Sequence, residues 1–136
     1  MNKNKLTTII KKPIKEVFEF TINPDNTHKW ISGIAKEKTN EWPVRIGTIY
    51  SNRGKNDKEW GEYEVIKLET NKSFLLRRDD LNYHVEYTYR SIDESTTELT
   101  YFEWVKNGDI EGPFKQDTLN KLKVVIENPI KFNWSN

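Results

Sequence analysis

The sequence predicts an α+β protein, with short helices near the front, about six antiparallel strands in the middle and one long helix near the C-terminal end. Three observations carry this reading. From residue 34 to residue 105 the apolar and aromatic positions recur with a period of two, the pattern of strands with one buried face. Short polar turns separate the successive runs, and connections of that length join antiparallel neighbours. After residue 112 the period becomes helical: Phe114, Thr118, Leu122 and Val125 or Ile126 recur as one stripe, with Leu119 beside them.

The elements follow in order. Leu6 to Lys11 is rich in Thr and Ile and reads as a strand. Pro13 can open a helix without losing a needed N–H, and Ile14, Val17 and Phe18 give residues 13–21 an apolar face. Asn23-Pro24 ends that helix and caps a second short one reaching about Trp30. Neither is long enough to stand alone. Strands are expected at Ile34–Lys38, Gly47–Asn52, Glu59–Glu69, Ser73–Arg78, Tyr83–Ile92 and Thr97–Val105. Their turns are 53–57, Asn71-Lys72, Asp79-Asp80 and 93–96. Pro113 follows Gly112 and opens the long helix, which Pro129 closes; no element is assigned to the tail, 130–136.

Composition narrows the class. The 136 residues suit one domain, 1–136, with no repeat or linker dividing them. Only 35% of the chain is hydrophobic yet 12% is aromatic, so large rings must supply much of the core. A net charge of +1, from 22 basic and 21 acidic residues, argues against a nucleic-acid partner. Cysteine is absent, which excludes disulfides, thiolate metal sites and a Cys nucleophile. No apolar stretch suits a signal peptide or a membrane span, so a cytoplasmic location without membrane insertion is expected. Neither histidine, His28 or His84, sits in a metal-ligand pattern, and both read as exposed or capping residues. No metal or other cofactor is expected.

The ordered set of elements resembles the START-like superfamily, also called SRPBCC, and within it the small polyketide cyclase/dehydrase-type branch. The resemblance is carried by the opening TTIIKKPIKEVFEFTINPDNTHKWI and by the closing TTELTYFEWV and GPFKQDTLNKLKVVIEN, and it spans about residues 5–127. It implies the helix-grip fold, a curved antiparallel sheet of six to seven strands wrapped around the long C-terminal helix. It also implies a cavity between them for a hydrophobic or amphipathic molecule, with the short helices at its mouth.

The candidate ligand-binding residues are Trp30, Trp60, Tyr63, Tyr87, Tyr89, Tyr101, Glu103, Phe114 and Leu122. Alternation puts Tyr83, Val85, Tyr87 and Tyr89 on one face, and Leu99, Tyr101, Glu103 and Val105 on one face. A Tyr-rich face either walls a ligand or fills the core beneath the helix. Trp30 ends the second helix, Trp60 opens a strand, and Trp42-Pro43 lies in a loop. Each is a possible cavity wall or a core Trp that reaches the surface. Phe114 would face the cavity entrance if the resemblance holds.

Glu103 is the catalytic candidate. Pointing inward it needs a donor, such as a Tyr hydroxyl or Arg45, or it serves as an acid or base. Phe102 and Trp104 on the opposite face leave both phases of this strand open. Two functions of different class remain: a binding protein for an apolar or amphipathic small molecule, such as a lipid, and a cyclase or aromatase-type enzyme using an inward carboxylate. A chaperone co-activator, as some START-like relatives are, would need an interaction surface that the sequence does not mark. The ring-rich wall without a catalytic pair favours binding; whether there is a reaction, and the oligomeric state, stay open.

Overall fold

A computed structural model describes residues 1–129; the tail assigned to no element, 130–136, lies outside them. Seven strands are present: β1 (Lys3–Ile10), β2 (Lys36–Thr39), β3 (Ile49–Arg53), β4 (Gly61–Glu69), β5 (Ser73–Arg78), β6 (Tyr83–Asp93) and β7 (Thr96–Val105). They form one open antiparallel sheet in the order β1-β7-β6-β5-β4-β3-β2. From β2 to β7 every neighbour in the sheet is also a neighbour in sequence, as short turns require. β1 is the exception, pairing with β7 from Lys3↔Trp104 to Ile10↔Thr97. Register breaks at Val65/Lys67 and Ser91/Asp93 insert extra residues, and such bulges bend a sheet.

Two helices pack on this sheet. α1 (Ile14–Ile22) buries Val17, Phe18 and Thr21, and it stops at Asn23 because Pro24 bars further α conformation. Asn23 then accepts from the Asp25 N–H and opens a 3-10 turn, Pro24–Lys29. α2 (Gln116–Glu127) buries Leu119, Leu122, Val125 and Ile126, the stripe visible in the sequence. Leu119, Leu122 and Ile126 share one core cluster with Ile10 of β1, Leu99 of β7, and Val17 and Phe18 of α1, and α2 packs chiefly on β1. The sheet curves around this helix, which is the helix-grip arrangement.

Several expectations shift. β1 starts at Lys3 rather than Leu6, because Lys3 and Asn4 find ladder partners in Trp104 and Glu103. The strand expected at Ile34–Lys38 runs from Lys36 to Thr39, which leaves Ile34 beside the cavity. Residues 113–115 lie outside the helix, which starts at Gln116, and Lys115 is extended. The Phe114 N–H goes to Glu103 and its carbonyl accepts from Asn4, contacts that tie this residue to β1 and β7 ahead of the helix. His84 is not exposed: it is 5% accessible, its ring stacks on Trp104 at 4.8 Å, and its Nδ1 meets the Asn82 carbonyl. His28 is exposed, as expected.

Candidate functional site

The alternation of β7 resolves the phase of the last strand. Thr97, Leu99, Tyr101, Glu103 and Val105 are buried on the concave side, while Phe102 and Trp104 stack on each other at 5.0 Å on the convex side. Between the concave face, the 3-10 turn and Phe114 lies a cavity of about 250 Å³. Its floor is made by Phe74 and Leu76 of β5, Tyr83, Val85 and Tyr87 of β6, and Tyr101 of β7. Its rim is made by Thr27 and Ile31 near the 3-10 turn, and by Glu37 and Asn52 of β2 and β3.

Aromatic packing sets the shape. Tyr101 stacks on Phe114 at 4.3 Å and meets Tyr87 edge-on at 5.3 Å; Tyr87 in turn lies 5.6 Å from Phe74. Offset and edge contacts of this kind hold rings at fixed angles. Trp30, 2% exposed, backs the wall edge-on to Tyr87 and Phe114 without bordering the space itself.

Of the residues proposed from sequence, Tyr63, Tyr87, Tyr101 and Phe114 border the cavity together. Tyr89 does not border it: its hydroxyl shares a 2.6 Å hydrogen bond with Thr21, and its ring meets Phe18 at 5.2 Å. Leu122 is fully buried in the α2 core. Trp60 lies outside, beneath the cations of Lys38 at 4.4 Å and Arg53 at 5.1 Å. The ladder places these two on the face opposite Glu37 and Asn52, so the β2–β3 pair separates Trp60 from the cavity. Trp42 is 57% exposed and also lies apart from the cavity.

Glu103 is 1% exposed and sits behind the wall. Its carboxylate accepts from the Tyr83 hydroxyl at 2.6 Å, the Phe114 N–H at 2.7 Å and the Asn4 amide at 2.8 Å. Asn4 also donates to the Phe114 carbonyl. The buried carboxylate thus has three donors, which offset its desolvation. Arg45, a partner considered from sequence, pairs with Glu41 instead. The network ties β1, β6, β7 and the entry to α2 at one point, and it holds Tyr83 and Phe114, both of which border the cavity.

The carboxyl that does border the cavity is Glu37, which the sequence reading missed. It accepts from Thr27 Oγ1 at 2.5 Å and from Asn52 Nδ2 at 3.1 Å. Burial pushes its pKa up, and the two hydrogen bonds oppose that only in part. The available signal was the alternation Lys36-Glu37-Lys38-Thr39, which puts Glu37 on the face its two lysine neighbours avoid.

The tyrosines divide by what their hydroxyls do. Tyr50 donates to the Ile22 carbonyl, Tyr83 to Glu103, and Tyr89 bonds with Thr21. Among the described residues, the hydroxyls of Tyr63 and Tyr87 have no protein hydrogen-bond partner, although Tyr87 is only 6% exposed. Burial raises the pKa of both and the Glu37 charge adds to it, while Arg78 opposes the rise at Tyr63; all three groups border one space. No cluster of three or more His, Asp or Glu that could hold a metal ion occurs among the described residues. No described helix is long and apolar enough to cross a membrane.

No protein-family model matches this chain, and no curated protein matches it. Solved structures do match. The Polyketide_cyc-like protein Cgl2372 from Corynebacterium glutamicum is 16% identical with a TM-score of 0.64, over 98% of this chain and 96% of its own. The di-domain ARO/CYC StfQ of the steffimycin biosynthetic pathway is 12% identical with a TM-score of 0.69, over 94% of this chain and 46% of StfQ. Aha1 from Colwellia psychrerythraea, solved as a dimer, is 13% identical with a TM-score of 0.66, over 93% of this chain and 97% of its own. Identities this low speak for the fold alone, and one fold hosts many functions.

Proposed function

We propose that this chain, which carries the START-like helix-grip fold, is a small-molecule binding protein. We read residues 1–136 as one domain acting inside the cell, with its ligand held between the concave face of the sheet and Phe114. The observation that carries this reading is the cavity of about 250 Å³, walled by rings and containing Tyr hydroxyls without protein partners. Pre-formed apolar clefts with a few convergent polar groups are the usual form of a ligand site. The volume lies just below the roughly 300–1,000 Å³ of sites for drug-sized molecules, which favours a compact ligand.

The reading is tested by titrating the protein with an environment-sensitive apolar dye while following Trp fluorescence. Trp30 packs edge-on to Tyr87 and Phe114, so occupancy of the cavity should change its emission. Saturable binding lost in Tyr87→Trp, which fills the space, supports the proposal. Absence of saturable binding removes it.

A cyclase-type reaction is the second reading, and Glu37 is the observation that favours it. A carboxyl with a raised pKa at the edge of an apolar cavity is a suitable acid or base. Glu103, the earlier catalytic candidate, spends its carboxylate on three protein donors and is proposed instead to position the wall. Glu37→Gln should abolish turnover on any substrate found while leaving the fold intact.

A further inference from the structure

The cavity has an uneven charge character. Glu37 is the one ionisable carboxyl on its wall, and no Lys, Arg or His lies among the described residues that border it. Arg78 is the near cation, on the same sheet face at the end of β5, with its guanidinium 5.9 Å from the Tyr63 ring. It is solvent-exposed and outside the wall, so water weakens its field, although its charge still reaches Tyr63 and lowers that pKa against the effect of burial. Lys38 and Arg53 are turned to the other face, against Trp60.

A half-buried anion without a paired cation carries a desolvation cost, and a second anion beside it adds to that cost. An acid such as a fatty acid would therefore be repelled. Glu37 offers capacity in the opposite sense. Each of its oxygens accepts one protein hydrogen bond, from Thr27 or Asn52, and each has a further lone pair free. Around it stand Tyr50, Tyr63, Tyr87 and Phe74, whose rings attract a cation through their quadrupoles. Tyr63 and Tyr87 add hydroxyl oxygens that can accept a further N–H.

We propose that the cavity takes a compact organic amine, its ammonium head paired with the Glu37 carboxylate and its apolar body packed among the surrounding rings. This rests on the reading of the cavity as a ligand site and names the chemical class of that ligand. A neutral alcohol would make the hydrogen bond without compensating the charge. A carboxylate of the same shape would be rejected.

The test is a matched series at pH 7 and fixed ionic strength, followed by calorimetry: 2-phenylethylamine, 2-phenylethanol and phenylacetate. The three share a ring and a similar reach but carry a positive, neutral and negative head. The expected order is amine tightest, then alcohol, then carboxylate, with the amine about tenfold or more tighter than the alcohol, as a charge-assisted hydrogen bond provides. Glu37→Gln keeps the size and polarity of the side chain and should reduce that preference to about twofold or less. Equal or tighter binding of phenylacetate overturns the proposal, as does an amine preference that survives in Glu37→Gln. If the apolar dye binds and no member of the series does, the amine assignment falls and the binding function stands. If nothing binds, both fall. The order measured on the unaltered protein decides the case even if the variant fails to fold.

Discussion

Removing the Glu103 carboxylate should be among the most damaging single changes to this fold. In Glu103→Ala three donors lose their acceptor: the Tyr83 hydroxyl, the Phe114 N–H and the Asn4 amide. A buried donor left unpaired costs about 1–3 kcal/mol. Asn4 keeps its bond to the Phe114 carbonyl and counts least, and water entering the vacated volume recovers part of the rest. The loss should be about 3–5 kcal/mol, a large share of the roughly 5–15 kcal/mol that holds a domain together. Glu103→Gln should behave differently. Its carbonyl oxygen can stand where Oε2 accepts from Asn4 and Phe114, while its amide donates to the Tyr83 oxygen, which can also accept. That variant loses charge assistance only, about 1 kcal/mol. Urea unfolding followed by Trp fluorescence measures both. Glu103→Ala within about 0.5 kcal/mol of the parent, or Gln as damaging as Ala, would refute the account of this network.

Further expectations come from Glu37 and from two backbone or packing details. The folded-state pKa of Glu37 lies above its unfolded value, so the stability it contributes is full below pH 4.5 and is lost as pH rises through the raised value. Glu37→Gln removes that loss, so its urea midpoint should gain on the parent's between pH 4 and pH 7; parallel profiles would contradict this. The lowered pKa values of Asp80, Asp93, Glu98 and Glu127 act in the opposite sense but cancel in the difference. Leu81, 56% exposed with φ +62°, pays for a left-handed backbone that Asn tolerates, and Leu81→Asn should stabilise by about 0.5–1 kcal/mol in the same assay. Thr21→Val strands the buried Tyr89 hydroxyl and should cost about 1–3 kcal/mol, a loss that Tyr89→Phe in the same chain should largely relieve.

What could be read from the sequence follows from how local the cause is. Ser73–Arg78 was legible to the residue, because polar turns bound a short apolar run on both sides. The α2 stripe was legible because Leu119, Leu122, Val125 and Ile126 repeat on one face. The start of α2 was misplaced because Phe114 is held outside the helix by bonds to Glu103 and Asn4, the latter distant in sequence. His84 was misjudged for a related reason: its burial comes from stacking on Trp104 across a strand pair. At the site, ring alternation pointed to Tyr87 and Tyr101. Trp60 misled because an aromatic at a strand start carries no sign of which face it will take. Glu37 was hidden in a Lys-Glu-Lys run, which composition alone treats as solvated surface.

The pairing of β1 with β7 bears on the order in which the molecule can assemble. As the chain leaves the ribosome, residues 3–10 emerge well before residues 97–104, their ladder partners. Closing a loop of that length costs about 3 kcal/mol more than closing a tight hairpin, by the logarithmic scaling of chain entropy. The meander from β2 to β7 has a far smaller burden, since each strand meets its predecessor across a local connection, the longest being residues 40–48. We therefore expect the meander to form first and β1 to dock last, bringing Asn4 to Glu103 and completing the anchor that fixes Phe114 over the cavity. Until then the β7 edge stays open to other strands, so a slow-docking β1 variant should show its defect as aggregation during synthesis.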